Sequence, residues 1–231
     1  MENLKAKSFD LRKDTVDIIV AGKGGHIGGD MSVIDTLMSL YFCQMNISPE
    51  NMDDPDRDRF VLSKGHSVEA YYAVLAAKGF LDLEDIKAHF SKFGSKYIGH
   101  PNNKLPGIEM NSGSLGHGLP VCVGMALAGR IDKKDYRVFC MTGDGELQEG
   151  SNWEAIMAAG HYQLGNIVMI TDKNQIEATG WTKDIMNIDP LDKKLEAFGW
   201  DVISIDGHNM EEILKTLHSL PASDSQIRRK P

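Results

Sequence analysis

Acidic and amide side chains directly follow two apolar runs of the sequence. The run that ends at residue 142 continues into Gly143-Asp144-Gly145-Glu146, and the run over 167–171 continues into Asp172-Lys173-Asn174. Each run is typical of a buried strand, and the carboxyl ends of parallel strands meet at one edge of a sheet, where open α/β folds bind ligands. Carboxylate and amide oxygens there suit Mg²⁺ or Ca²⁺ that holds a phosphorylated ligand. Glycines on both sides of Asp144 would let a diphosphate approach the backbone closely.

Two ordinary turns at strand ends are the competing interpretation of these motifs. Gly-Asp-Gly is common in turns, so it carries little weight alone. The asparagine 30 residues after the aspartate (174 − 144), together with the histidine motifs below, favours a ligand site instead.

Histidines next to glycine occur in four segments, a placement that suits a loop better than a core. The segments are Gly25-His26-Ile27-Gly28-Gly29, Ser63-Lys64-Gly65-His66-Ser67, Ile98-Gly99-His100-Pro101 and Gly116-His117-Gly118. A single histidine of this kind is more commonly a surface residue. Together they predict a polar site, because imidazole donates hydrogen bonds and moves protons near pH 7. A zinc site is the alternative, but no spacing resembles a short ligand pair and no cysteine lies nearby in the sequence.

The composition is that of a soluble globular protein. The chain has 231 residues, of which 42% are hydrophobic and 25% charged, enough for one large α/β domain. The net charge is −8, and the one basic block is Arg228-Arg229-Lys230, so nothing favours nucleic-acid binding. No apolar stretch approaches the roughly 20 residues of a membrane span, and the N-terminus lacks a signal-peptide core. Cys43, Cys122 and Cys140 lie in apolar contexts, which predicts buried free thiols in the cytoplasm.

Helices and strands alternate along the second half of the sequence, which predicts an α/β protein: a three-layer α/β/α fold with a mainly parallel sheet. Strand patterns occupy 60–62, 136–142, 167–171 and 201–205, and helix patterns occupy 8–21, 67–78, 82–93, 118–130, 151–163, 190–198 and 209–219. Ser32 is expected to cap a further helix, and Asn209 with Glu212 resembles a capping box. Core positions are expected for Met141, Met157 and Met169. We divide the chain into a diphosphate-binding domain at 1–220 and a polar tail at 221–231.

The order of the motifs resembles the N-terminal, diphosphate-binding half of transketolase, from about residue 8 to residue 219. The matching motifs are Gly25-His26-Ile27-Gly28-Gly29, Asp56-Arg57-Asp58-Arg59-Phe60-Val61-Leu62-Ser63-Lys64-Gly65-His66, Gly99-His100-Pro101, Gly113-Ser114-Leu115-Gly116 and Gly143-Asp144-Gly145-Glu146-Leu147-Gln148-Glu149-Gly150. Gly-Asp-Gly, followed by Asn after roughly thirty residues, is also similar to the thiamine diphosphate (ThDP) motif.

The resemblance implies roles for the motif residues. Asp144, Asn174 and the carbonyl of Ile176 would bind the metal ion, which is Mg²⁺ with Ca²⁺ or Mn²⁺ as alternatives. The residues that contact ThDP would be His66, Gly113, Ser114, Leu115, Gly143, Asp144, Gly145, Glu146 and Asn174. The catalytic residues would be His26, His100 and Glu149. The two histidines would contact substrate hydroxyls, and Glu149 with Glu154 would join two active sites across a dimer interface.

By the same resemblance, the chain would be the N-terminal subunit of a split, cytoplasmic transketolase of the pentose phosphate pathway. A two-carbon ketol unit would pass from a ketose phosphate to an aldose phosphate with ThDP as the carrier. A separate C-terminal subunit would supply the pyrimidine-binding domain and the glutamate that activates the cofactor, and the two subunits would form a heterotetramer. Two alternatives stay open: another ThDP enzyme that joins pyruvate to an aldose phosphate, and a truncated, non-catalytic cofactor-binding module.

The sequence departs from the family pattern in three places. Ile27 stands where the family usually has proline, and Asp30 stands where it usually has serine. Asp30 would either repel anions near a sugar phosphate, and so mark a changed substrate, or be a tolerated surface change. After residue 221 the sequence no longer matches the family's next strand and Trp-His-Gly loop. The expectation is that this removes a further histidine that contacts the oxyanion and weakens the site.

Overall fold

The computed structural model describes residues 2–221. Its helices are α1 (Glu2–Gly22), α2 (Ile27–Ser39), α3 (Val68–Lys78), α4 (Leu83–His89), α5 (Gly118–Ile131), α6 (Gly150–His161), α7 (Thr182–Ile185), α8 (Leu191–Ala197) and α9 (Met210–Ser219). Its strands are β1 (Arg59–Leu62), β2 (Val138–Gly143), β3 (Ile167–Asp172), β4 (Ile176–Glu177) and β5 (Gly180–Trp181). Shorter helical turns occupy Leu40–Gln44, Pro49–Asn51, Gly65–Ser67 and Gly145–Gln148. Among residues 2–221, none of the helices combines the length and the apolar character that a membrane span requires.

The described residues form two compact units. The first unit comprises residues 2–57, 65–113 and 205–220. Within it, α1, α2 and α3 pack against one another, α4 packs on α1 and α3, and α9 packs on α2. Its core includes Leu11 and Ile18 from α1, Ile34 and Leu37 from α2, and Val74 from α3, each at most 1% exposed. The unit is therefore a helical assembly, and its loops carry the first three Gly-His motifs.

The second unit comprises residues 58–64, 114–204 and 221, and it contains the parallel sheet in the order β1-β2-β3. Phe60 lies opposite Phe139, and Cys140 lies opposite Met169. Every residue of β2 is buried, as expected for the central strand of a parallel sheet. α5 packs on all three strands and against α6. The prediction of a mainly parallel sheet is confirmed, and α6 connects the parallel strands β2 and β3.

The predicted start of the second helix is wrong. Ser32 does not cap a helix, because α2 already begins at Ile27, directly after His26. The Ser32 hydroxyl instead donates to the Gly29 carbonyl at 2.9 Å inside the helix. The glycines at 28 and 29 do not prevent the first turn, since burial of the apolar face of α2 outweighs their low helix propensity.

Two further elements differ from their patterns. The helix predicted over 82–93 ends at His89, and Ser91 adopts a left-handed backbone with φ of 59°. Residues 201–205 do not form a strand, and Ile203 remains 57% exposed. An apolar, β-favouring segment becomes a strand only when a neighbour pairs with its backbone, and none does so in residues 2–221.

The methionines and cysteines that were predicted to be buried are only partly so. Met141 is buried, but Met157 is 55% exposed and Met169 is half-buried. Met157 lies on the outer face of α6, where its apolar character does not dictate burial. Cys122 and Cys140 are buried as predicted, whereas Cys43 is half-buried, and all three are free thiols. Of the predicted tail at 221–231, residues 222–231 lie outside the described range.

Candidate functional site

Three of the predicted histidines come together in the first unit. His26 precedes α2, His66 lies in the turn before α3, and His100 lies in the loop after α4. The ring centroid of His26 is 5.5 Å from that of His66 and 6.4 Å from that of His100. Partial burial, and then the proximity of His26, lowers the pKa of His100. Its imidazole is therefore neutral near pH 7 and can both donate and accept a hydrogen bond.

The position of His100 is fixed from two sides. The buried hydroxyl of Tyr72 on α3 donates to the carbonyls of Ile98 at 3.1 Å and His100 at 3.3 Å. Gly113 adopts φ of 136°, and a Cβ built on it would lie 2.6 Å from Cδ2 of His100. Only glycine allows both this backbone conformation and this close approach. The predicted Gly113 thus lies against the predicted His100.

Asp30 is fully buried, so its interpretation as a surface change is wrong. Its Oδ1 accepts a 3.0 Å hydrogen bond from the main-chain N–H of Ala70 in α3. Glu69, the residue before Ala70 in α3, is also fully buried. Burial and the charge of Asp30 raise the pKa of Glu69 to about 8. The sequence pattern did not single out Glu69, because a glutamate in a helix is normally exposed.

Asp144 occupies the end of β2 in the second unit and is 3% exposed. Its main-chain N–H donates to the carbonyl of Asp172 at 3.1 Å, which joins the ends of β2 and β3. Its Oδ2 accepts hydrogen bonds from the N–H of Gln175 at 2.8 Å and from the hydroxyl of Thr182 at 3.1 Å. Its Oδ1 accepts one, from the N–H of Gly145 at 3.0 Å. Oδ1 therefore keeps a lone pair for a cation.

Asn174 lies close to the Asp144 carboxylate, in the loop that follows β3. Its Nδ2 donates to Asp172 at 3.0 Å, and its Oδ1 accepts the N–H of Ile176 at 3.0 Å. Asp172 in turn forms a buried ion pair with Lys64, with Nζ 2.5 Å from Oδ2. Gln175, between Asn174 and Ile176, adopts a left-handed backbone with φ of 66°, a conformation that bends the loop back over Asp144.

The donor set at this end of the sheet fits Mg²⁺. A carboxylate oxygen of Asp144, the amide oxygen of Asn174 and the carbonyl of Ile176 are hard ligands, the type that Mg²⁺ and Ca²⁺ prefer. No group of three or more His, Cys, Asp or Glu side chains able to hold a metal occurs among residues 2–221. A metal at Asp144 would thus depend on one carboxylate and on neutral oxygens.

Glu146, a predicted cofactor contact, lies 2% exposed with its carboxylate turned into the protein. It accepts hydrogen bonds from the Ser63 hydroxyl, from the N–H of Gly116 at 3.0 Å and from the N–H of Gly143 at 3.0 Å. Burial raises its pKa, and these donors oppose the rise. The carboxylate thereby holds the Gly143 turn and the end of the Gly113-Ser114-Leu115-Gly116 motif. A role toward the cofactor through neighbouring backbone stays a prediction.

The remaining predicted residues are placed as follows. Ser114 is exposed and Leu115 half-buried, and Gly116 is fixed by the Ser151 hydroxyl, which donates to its carbonyl at 2.7 Å. Gly145 lies so close to Glu177 that a Cβ would be 2.8 Å from its Cγ. Glu149 and Glu154 are exposed at the start of α6. Their assignment to an interface between subunits stays a prediction.

Several residues at the sheet end were not predicted from the sequence. Thr182 and Gln175 contact Asp144 from beyond β3, and no pattern marks them. Lys64 and Ser63 were visible within the Ser63-Lys64-Gly65-His66 motif, but their partners lie more than 80 residues away (146 − 63 = 83; 172 − 64 = 108). Only the folded sheet brings such partners together.

The chain matches a known family over nearly its whole length. The family described as "Transketolase, thiamine diphosphate binding domain" matches residues 5–227. One subunit of the apulose-4-phosphate transketolase of Phocaeicola vulgatus is 46% identical over 95% of this chain and 78% of its own length. The SqwG subunit of the 6-deoxy-6-sulfo-D-fructose transketolase of a Clostridium species is 42% identical over 93% and 78%.

A solved transketolase from Campylobacter jejuni is similar in structure. It superposes with a TM-score of 0.90 at 32% identity, covering 96% of this chain but 36% of its own. The predicted three-layer α/β/α fold with a mainly parallel sheet is confirmed by this similarity. The sequence resemblance is confirmed as well: the chain belongs to the transketolase family and corresponds to its N-terminal, thiamine diphosphate binding domain.

Proposed function

We propose that this chain is the ThDP- and Mg²⁺-binding N-terminal subunit of a split transketolase. The observation that carries the proposal is the arrangement at the end of the sheet, where Asp144 and the loop that carries Asn174 are hydrogen-bonded to each other through Gln175. Asp144, Asn174 and the Ile176 carbonyl would hold the metal that neutralises a diphosphate. Residues 1–220 would serve as the diphosphate-binding domain.

The histidines would act on the sugar. When bound, ThDP supplies the carbon nucleophile and the electron sink that carbon–carbon bond cleavage needs. His26 and His100 would donate hydrogen bonds to substrate hydroxyls and to the carbonyl oxygen, and His66 would contact the cofactor. Because the pKa of His100 is lowered, its neutral ring could accept a hydroxyl proton near pH 7 and return it.

A second polypeptide would complete the enzyme. Two relatives, with 46% and 42% identity, are each named as one subunit of a transketolase, which denotes part of a larger enzyme. The chain also spans only 36% of a solved transketolase chain. We propose that a C-terminal subunit supplies the pyrimidine-binding domain and that the complex is a heterotetramer, with Glu149 and Glu154 near the junction between active sites.

The reaction would transfer a two-carbon ketol unit from a ketose to an aldose phosphate. Two relatives are named for apulose 4-phosphate and for 6-deoxy-6-sulfo-D-fructose. These names favour a set of donor sugars wider than the donors of the pentose phosphate pathway. A panel of xylulose 5-phosphate, fructose 6-phosphate, apulose 4-phosphate and the sulfonated fructose would define it. We place the enzyme in the cytoplasm, the compartment that suits its three free thiols.

The decisive experiment is calorimetric titration of ThDP, with and without Mg²⁺, into this chain co-purified with a candidate C-terminal subunit. The Asp144→Ala variant is the test, and Asp192→Ala, an exposed aspartate on α8, is its matched control. We expect Mg²⁺-dependent binding in the wild type and the control, and its loss in Asp144→Ala. An assembled, folded complex that binds no ThDP would contradict the proposal.

The donor assay then separates the reaction classes. Turnover of ketose phosphates without pyruvate supports ketol transfer. Turnover that requires pyruvate would instead favour a synthase, and ThDP binding without turnover of any donor would favour a non-catalytic module.

A further inference from the structure

Two carboxyl groups lie buried side by side behind the histidine cluster of the first unit. Asp30 on α2 and Glu69 on α3 are both 0% exposed. Asp30 Oδ1 accepts the N–H of Ala70 at 3.0 Å, which brings the two acids onto facing turns of their helices. Within residues 2–221, no donor meets the carboxyl oxygens of Glu69 in normal hydrogen-bond geometry, although the main-chain N–H groups of Glu69 and His26 approach closely enough to oppose the rise of its pKa. An ionised carboxylate in such a place would be strongly unfavourable.

Glu69 also lies directly beneath the backbone that carries His26. A Cβ built on Gly25 would be 2.5 Å from Oε1 of Glu69 and 2.8 Å from Cγ1 of Ile19. Gly25 is therefore packed between the carboxyl group and α1. The residue that follows is His26, whose ring lies 5.5 Å from that of His66. Movement of the Glu69 carboxyl group toward Gly25 would displace this turn.

Asp30 is the charged side chain that acts on Glu69. Tyr72, one turn along α3, is itself affected, since burial and the charge of Glu69 raise its pKa. The turn Gly65–Ser67 contributes His66, and the segment Leu40–Gln44 contributes no charged residue. The charged groups that α1 and α4 bring together, Lys13, Asp17 and Lys87, form ion pairs with one another at positions that retain solvent exposure.

We propose that Asp30 and Glu69 share a single proton, and that this pair positions the Gly25–His26 turn for the reaction. The second part rests on the proposed function. With one proton, the Glu69 hydroxyl donates to Asp30 and the pair carries one negative charge, which the N–H of Ala70 helps to stabilise. Without that proton, two carboxylates repel each other under the turn.

The pH at which the proton leaves follows from the surroundings. Burial, and then the charge of Asp30, raises the pKa of Glu69 to about 8, while the main-chain N–H groups of Glu69 and His26 oppose part of the rise. The pair would hold its proton at neutral pH and lose it on the alkaline side. Loss of the proton would displace the His26 ring and reduce ketol transfer there.

The first test reads the proton directly by NMR of the full-length chain labelled with ¹³C at the glutamate carboxyl carbons. Glu69 is identified as the resonance that disappears in Glu69→Gln. We expect it to titrate near pH 8, and in Asp30→Asn to titrate lower by about one pH unit or more, because the like charge is gone. A Glu69 resonance that titrates with the exposed glutamates would overturn the shared proton.

The second test reads the His26 ring. The ¹H–¹³C resonance of this ring is assigned through His26→Gln. In the wild type its chemical shift should change with pH near pH 8, in a step separate from the titration of the imidazole itself. Glu69→Gln should lack that step. Glu84→Gln, an exposed glutamate on α4, is the control and should behave as the wild type. An identical alkaline step in Glu69→Gln would overturn the positioning role. Both NMR titrations use the chain without ThDP and without a partner subunit. Their outcome therefore does not depend on whether the proposed function is right.

The third test uses the assembled enzyme. Glu69→Gln, a neutral mimic of the protonated acid, should keep kcat at pH 7 within about twofold and move the alkaline limb of its pH profile upward. A limb unchanged from the wild type would contradict the positioning role.

Discussion

The main-chain N–H of Gln175 donates a 2.8 Å hydrogen bond to Oδ2 of Asp144. This bond joins the loop after β3 to the acid after β2, and it lies next to the proposed metal ligand Asn174. It depends on a left-handed backbone at Gln175, with φ of 66°.

A matched pair of substitutions tests this bond. Gln175→Pro removes the N–H and forces φ near −65°, so we expect affinity for ThDP in the presence of Mg²⁺ to fall by at least about tenfold, because the bond orients a metal ligand. Gln175→Gly keeps the N–H and tolerates the positive φ, so it should bind like the wild type. Calorimetry of both variants in the assembled complex provides the measurement. Equal affinity of the two would show that the bond does not organise the site.

The contact between Gly113 and His100 gives a prediction about turnover. A methyl group at Gly113 would lie 2.6 Å from the His100 ring on a backbone with φ of 136°. Gly113→Ala should displace the ring and lower kcat/KM by up to about 10²-fold. Gly207→Ala is the control, because a Cβ there meets nothing within 4 Å. Steady-state kinetics with one ketose phosphate donor decide it, and unchanged kinetics in Gly113→Ala would argue against a role for His100.

The buried ion pair between Lys64 and Asp172 gives a prediction about stability. Their side chains are 1% and 10% exposed, with 2.5 Å between Nζ and Oδ2. Lys64→Met leaves Asp172 without its cation, so the free energy of unfolding should fall by about 3 kcal/mol. Adding Asp172→Asn removes the uncompensated charge and should recover part of that loss. Urea unfolding of both single variants and of the double variant at neutral pH provides the measurement. A double variant whose loss of stability equals or exceeds the sum of the two single losses would refute this coupling.

The buried pair of Asp30 and Glu69 gives a prediction about pH. The pKa of Glu69 rises from 4.5 to about 8 on folding, so the folded chain retains a proton that the unfolded chain has already released. The free energy of unfolding should therefore be greatest near and below pH 4.5 as far as this group is concerned, and fall as pH rises to about 8. Glu69→Gln has no proton to lose and should flatten that decline. Urea unfolding across this range checks it, and equal slopes in both proteins would count against it.

Local sequence determined those parts of the molecule whose signals lie within a few residues. The apolar run of β2 followed by Gly143-Asp144-Gly145 predicted both a buried strand and an acid at its carboxyl end, because continuous apolar residues are typical of a strand that is buried on both faces. The cap at Asn209, whose side chain accepts hydrogen bonds from the N–H groups of Glu211 and Glu212, was also predicted, because a helix cap is encoded by residues only a few positions apart. Glu212, however, accepts the N–H of Asp206, so the capping box is not reciprocal.

The tertiary structure decided which groups meet across long sequence separations. Residues 201–205 have a strand-like pattern but find no partner strand, and Met157 has a core-like side chain but lies on an outward face of α6. Thr182 reaches Asp144, and Glu69 lies beside Asp30, although no local pattern connects either pair.

The sequence alone thus determined the family, the parallel strands and the Gly-His and Gly-Asp-Gly motifs, because residue type and short spacing encode them. Only the tertiary structure decided that Asp30 is buried with a second acid under the His26 turn, and that Gln175 anchors the loop of Asn174. The physical reason is that burial and hydrogen-bond partners depend on how helices and strands pack, and packing joins residues that the chain separates.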